Sequence, residues 1–173
     1  MTILAVIFDL YGTLLYLAKE TKPYARLFAD LGLQTDIELK EARHIALTES
    51  LDNLADLVKR IKPNDHSKLI DLVSYQREVE EERASATVYP ETRDILEKLG
   101  DRNLKLGLIS NLASPYRKPF FDFGLDKYFD EVLFSCDIGL TKPDSRIYQI
   151  MIDRLNVNPE QALMTGDKVH ADV

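Results

Sequence analysis

Cysteine is nearly missing from this chain: Cys136 is the only one among 173 residues. No intrachain disulfide can form, and such scarcity fits a reducing compartment. Positive charge is in deficit, with 22 Lys plus Arg against 29 Asp plus Glu and a formal net charge of −7. No basic stripe gathers the cations, which argues against a nucleic-acid partner. Long apolar runs are absent too. No stretch approaches the roughly 20 apolar residues that span a bilayer. The apolar start, Ile3 to Phe8, is too short for a secretory h-region and lacks a basic flank. No internal repeat or low-complexity segment appears. What remains is an ordinary globular composition, 45% apolar and 29% charged. It describes a cytoplasmic protein of one domain, or one domain with an insertion.

The most informative stretch is Ile7-Phe8-Asp9-Leu10-Tyr11-Gly12-Thr13. Ile3 to Phe8 reads as a buried strand that delivers Asp9 to its end, ahead of a Gly-Thr turn. Beyond it, residues from about 22 to 84 lose all β character. Tyr24 to Leu31 reads as a helix. Asp36 to Ile61 carries apolar residues at helical spacing, among them Leu39, Ala42, Ala46, Leu54, Leu57 and Val58. Pro63-Asn64-Asp65 breaks that pattern and offers an N-cap for a further helix through Leu69, Leu72, Tyr75 and Val79. The acidic run Glu78 to Glu82 is expected to be a solvated helix face. Such a helical stretch is too long for an ordinary loop.

An α/β rhythm then resumes. Glu91 to Leu99 reads as a helix, Leu104 to Ile109 as a strand, and Ser114 to Phe123 as a helix. Glu131 to Phe134 is a strand, Asp144 to Leu155 an amphipathic helix, and Ala162 to Thr165 a fourth strand. Strands alternating with helices imply an α/β fold with a parallel sheet. Parallel strands place their C-terminal ends on one edge, where ligands bind in open sheets.

The candidate chemistry clusters at those ends. Asp9 follows the first strand and can act as a nucleophile. Ser110-Asn111 follows the second, and Ser110 can donate a hydrogen bond to an oxyanion. Lys142 supplies a point charge in the loop after the third. Asp167 follows the fourth, with Asp172 five residues on. Asp9 and Asp167 are hard oxygen ligands suited to Mg²⁺, with Asp172 set behind them. Thr13 is expected to help the nucleophile loop and, like Asn111, to touch substrate. His44, His66 and His170 show no metal-ligand spacing. Cys136 reads as a small buried apolar residue. Lys19, Arg26 and Arg43 are weaker candidates for substrate contact.

Four ordered signatures carry a family likeness: Phe8-Asp9-Leu10-Tyr11-Gly12-Thr13, Ile109-Ser110-Asn111, Gly139-Leu140-Thr141-Lys142-Pro143-Asp144, and Gly166-Asp167 through Asp172. The chain resembles the haloacid dehalogenase-like hydrolase superfamily. The resemblance implies a Rossmann-like core over residues 1–15 and 87–173, with a helical cap inserted at 16–86. It implies a covalent intermediate on Asp9, and Mg²⁺ held by Asp9, the Tyr11 backbone carbonyl, Asp167 and, less directly, Asp172. It also implies that a C-terminal strand present in relatives is missing here.

Tyr11 departs from the pattern. Phosphatases of the family place an acid there as general acid/base, whereas its 2-haloacid dehalogenases place tyrosine and use no metal. Asp167 points the other way, because those dehalogenases have Ser and Asn in the fourth signature. Three readings stand. The preferred one is a Mg²⁺-dependent phosphatase for a small phosphorylated metabolite, with Asp9, Tyr11, Ser110 and Lys142 in catalysis. A 2-haloacid dehalogenase and a truncated, non-catalytic remnant are the others. The expected partner is a small-molecule substrate, with no nucleic acid and no membrane, and the chain a monomer or homodimer.

Overall fold

The computed structural model describes residues 2–51, 53–62 and 70–172. Its centre is a parallel four-stranded sheet made of β1 (Ala5–Phe8), β4 (Lys105–Ser110), β5 (Glu131–Phe134) and β6 (Ala162–Thr165), in the order β5-β4-β1-β6. Between β1 and β4 the chain forms β2 (Leu15–Leu17), four helices, β3 (Ala86–Val88) and α5 (Thr92–Gly100). The helices are α1 (Pro23–Asp30), α2 (Asp36–Thr48), α3 (Leu54–Ile61) and α4 (Leu72–Ala84). Between the remaining strands lie α6 (Lys118–Asp122), α7 (Ser135–Ile138) and α8 (Ser145–Leu155), and α9 (Val169–Asp172) follows β6.

β1 is central and wholly buried, which is why it reads as an unbroken apolar run rather than an alternation. Its side chains still divide by the strand period of two. Val6 and Phe8 join Leu96, Leu106, Leu108 and Phe120 on one face. Ala5 and Ile7 join Ile109, Leu133, Ile147 and Met151 on the other. Gly107 allows α8 to lie close: a Cβ there would sit 2.7 Å from the Met151 sulfur. The Asp144 carboxylate caps α8 by accepting from Arg146 N at 2.9 Å.

The helices α1 to α4 bury a core of their own, including Leu27, Phe28, Leu57, Val58 and Val79. The expected continuous pattern from Asp36 to Ile61 is two helices, each with its own cap. Thr35 and Glu38 form a capping box at α2, and Asn53 caps α3 by accepting from Asp56 N. The anticipated break at Pro63-Asn64-Asp65 lies outside the described residues, as does Leu69. The cap seen on α4 is Asp71, which accepts from Ser74 N. Antiparallel pairing of β2 with β3, Leu15 opposite Val88 and Leu17 opposite Ala86, ties both ends of the helical segment together. Among the described residues, no helix is long and apolar enough to cross a membrane.

Candidate active site

Asp9 stands just beyond β1. Its backbone N–H donates to Thr165 O at 2.9 Å, extending the pairing with β6. The chain then turns sharply. The N–H groups of Thr13, Leu14 and Leu15 all converge on Leu10 O, at 3.3, 2.8 and 3.1 Å. Gly12 makes the turn possible with φ at +85°. A Cβ on Gly12 would also come within 2.6 Å of Asp167 Oδ2, so the absent side chain leaves room for that carboxylate. Thr13 Oγ1 is buried without a hydrogen-bond partner among the described residues.

Around Asp9 the structure assembles residues from three other strand ends. Lys142 Nζ lies 2.9 Å from Asp9 Oδ1 and 2.5 Å from Asp172 Oδ1, and all three residues are buried. Asp172 Oδ2 accepts from Lys168 N at 3.0 Å. Ser110, also buried, ends β4 opposite Phe134. Carboxylate oxygens of Asp9, Asp167 and Asp172 lie within 4.8 Å of one another, with Asp167 the exposed member. One ammonium does not neutralise three converging carboxylates. The surplus negative charge, presented on hard oxygen atoms, suits a divalent cation such as Mg²⁺.

Two candidates have their polar groups engaged within the protein. Asn111 Nδ2 donates to Lys142 O at 2.8 Å, while Asn111 Oδ1 accepts from Lys142 N at 2.8 Å. Both ends of its amide therefore fix the backbone of the lysine. The Tyr11 hydroxyl donates to the backbone oxygen of Tyr116 at 2.9 Å. Burial, the largest influence, pushes the Tyr11 phenol far above its ordinary range; Glu82 adds to the effect and Arg83 opposes it. Tyr11 thus keeps its proton and directs it at a carbonyl. That geometry supplies no proton carrier where the phosphatases of the resemblance place an acid.

A cavity of about 640 Å³ opens between the strand ends and α1, α2 and α4. Asp167, Tyr11, Tyr24, Tyr116 and Glu82 all line it. Of the three cations named as weaker candidates, Arg43 reaches this wall, whereas Lys19 is taken by Glu81 at 2.8 Å and Arg26 by Glu78 at 2.6 Å. Glu82 was not anticipated. Read as part of a solvated acidic run, it is only 4% exposed. The signal was present in the spacing. Tyr75, Val79 and Glu82, at i, i+4 and i+7, share the buried face of α4.

The family model for haloacid dehalogenase-like hydrolases matches residues 3–173. A glyceraldehyde 3-phosphate phosphatase from Methanopyrus kandleri is 30% identical over 184 residues, covering 98% of this chain and 77% of the relative. The crystal structure of a HAD phosphatase from Thermococcus onnurineus matches with a TM-score of 0.63 at 29% identity, over 100% of this chain and 80% of its own. A 2-haloacid dehalogenase from Pseudomonas syringae shares the fold, with a TM-score of 0.65 at 22% identity, over 99% of this chain and 80% of its own. The α/β core, the ordered strand-end residues and the family match agree: the chain belongs to the haloacid dehalogenase-like hydrolases.

Proposed function

We propose that this hydrolase is a Mg²⁺-dependent phosphatase of small phosphate esters that works through an aspartyl-phosphate on Asp9, with residues 16–86 as its cap. The observation that carries the reading is Asp167. Its carboxylate beside Asp9 suits a cation and a phosphoryl group, and repels the carboxylate of a haloacid. The 30%-identical relative named as a glyceraldehyde 3-phosphate phosphatase supports the same choice.

In the first step an Asp9 carboxylate oxygen attacks phosphorus, and the bond from phosphorus to the leaving oxygen breaks. In the second, water attacks phosphorus, the bond to Asp9 breaks, and inorganic phosphate leaves. Lys142, 2.9 Å from Asp9, orients the nucleophile and offsets charge on the phosphoryl oxygens. Ser110 and the unpartnered Thr13 hydroxyl are donors for those oxygens. Asn111 positions Lys142. When bound by Asp9, Asp167 and Asp172, Mg²⁺ supplies positive charge to the developing phosphoryl negative charge.

The test is release of phosphate from p-nitrophenyl phosphate with Mg²⁺ and with a chelator, beside Asp9→Asn. Turnover that needs the metal and is lost in Asp9→Asn is expected. Halide release from 2-chloropropionate, persisting in chelator, would overturn the phosphatase reading in favour of a dehalogenase.

A further inference from the structure

We propose that the cavity selects phosphate monoesters whose far end carries an ammonium group, bound by Glu82 within a cage of Tyr11, Tyr24 and Tyr116. The substrate class rests on the phosphatase reading; the cation site itself does not.

Glu82 is the anomaly that motivates it. The residue is 4% exposed and lines the cavity. Two hydroxyls donate to its Oε2, Thr21 at 3.1 Å and Tyr116 at 3.3 Å. No described ion pair includes it. Arg83, next in sequence, acts electrostatically on Tyr11 but forms no described ion pair with Glu82. A buried carboxylate with hydroxyl donors alone is only partly compensated, and a cation entering the cavity would complete it.

The surroundings suit a cation with apolar substituents. Tyr116 meets Tyr24 with ring centroids 6.1 Å apart, and Tyr11 nearly edge-on at 6.2 Å and 81°. Three rings in different planes thus line the cavity that holds this carboxylate, and aromatic faces favour alkylated ammonium ions over neutral groups of the same shape. The other cations that line the cavity, Lys22, Arg43 and Lys168, are exposed, so they do not fill this buried position. Phosphate at Asp9 and ammonium at Glu82 would then be joined through the cavity that Asp167 and Glu82 both line.

The experiment compares phosphocholine with 3,3-dimethylbutyl phosphate, its neutral isostere, as substrates of the full chain. Binding is followed separately by titrating choline and 3,3-dimethylbutanol against tyrosine fluorescence, which no tryptophan obscures. Phosphocholine should exceed the isostere in kcat/KM by roughly tenfold or more, the order expected of a desolvated cation–π site. Choline should bind where the alcohol does not. Glu82→Gln should collapse the ratio toward one, and Tyr24→Leu should reduce it if Glu82→Gln fails to fold. Equal kcat/KM for the two esters in the wild type would overturn the proposal. So would an equal fall for both in Glu82→Gln, which would make Glu82 a proton donor or a structural group. Choline binding without turnover of any phosphate ester would support the cage and count against the phosphatase reading alone.

Discussion

Asn111 and Lys142 hold each other by two hydrogen bonds of 2.8 Å, one from the Asn111 amide to Lys142 O and one from Lys142 N to the Asn111 carbonyl oxygen. The side chain at the end of β4 thereby fixes the backbone of the residue whose ammonium meets Asp9. Asn111→Ala removes both bonds, a loss of about 1–3 kcal/mol at the usual net value per bond. Its larger effect should be on turnover, because displacing a catalytic charge by roughly 1 Å can reduce rate about 10²-fold. Steady-state kinetics with p-nitrophenyl phosphate, read beside a urea melt, checks this. A stability loss with unchanged kcat would remove Asn111 from the positioning of Lys142.

Mg²⁺ should stabilise the folded chain. At about 100 times its dissociation constant, a ligand of the native state alone adds about 2.7 kcal/mol. For a chain of this size that corresponds to roughly 5–10 °C in Tm. Asp167→Asn should abolish the shift, and so should Gly12→Ala, whose new Cβ falls 2.6 Å from Asp167 Oδ2 at a residue with φ of +85°. Thermal scans with Mg²⁺ and with EDTA provide the comparison. Mg²⁺-dependent shifts retained in Asp167→Asn would exclude that carboxylate as a ligand.

The placement of Asp9, Ser110, Lys142 and Asp167 was legible in the sequence because each lies at the end of an apolar strand or in the segment that follows it, and a parallel sheet gathers such ends on one edge. Other features had no local signature. β2 and β3 are three residues each and exist through their mutual pairing. The four-residue α7, Ser135–Ile138, follows β5 directly and is too short to show a period. The hydrogen bond from Tyr11 to Tyr116 spans 105 positions, so no local pattern reports it. Glu82 is the instructive case: residue type suggested solvent, while spacing from Tyr75 and Val79 placed it on the buried face. Periodicity outweighed polarity because α4 packs against α1 and α3 through that face.

Tyr11 predicts steep dependence on the leaving group. Its proton is held by Tyr116 O, so no side chain at that position protonates a departing alkoxide. General acid catalysis contributes typically about 10²–10⁴-fold, or on the order of 3–5 kcal/mol of barrier. Acetyl phosphate and p-nitrophenyl phosphate escape that loss, whereas simple alkyl phosphates, which leave as alkoxides, bear it in full. Tyr11→Asp should raise the alkyl-to-aryl ratio of kcat by at least roughly tenfold. An unchanged ratio in the variant, or equal rates for both ester types in the wild type, would show that leaving-group protonation does not limit this enzyme.

Alkaline pH should unfold the chain earlier than its carboxylates would suggest. Burial pushes Tyr148 up to about 12, and drives Tyr11, Tyr24 and Tyr116 higher still. In the unfolded chain these phenols ionise near about 10. Below that value both states are protonated, and the four residues contribute no pH dependence. Above it the unfolded state loses protons that the folded state retains, so stability falls as pH rises through the interval from roughly 10 to 12. Urea midpoints should therefore be flat from about pH 8 to 9 and decline from about pH 10 upward. Tyrosinate absorbance of these half-buried rings should emerge together with the loss of helical circular dichroism. Tyr148→Phe should make the decline shallower. Urea midpoints that stay level through pH 11 would mean that these phenols titrate in the folded state, and that water reaches Tyr11, Tyr24 and Tyr116 in the cavity wall freely.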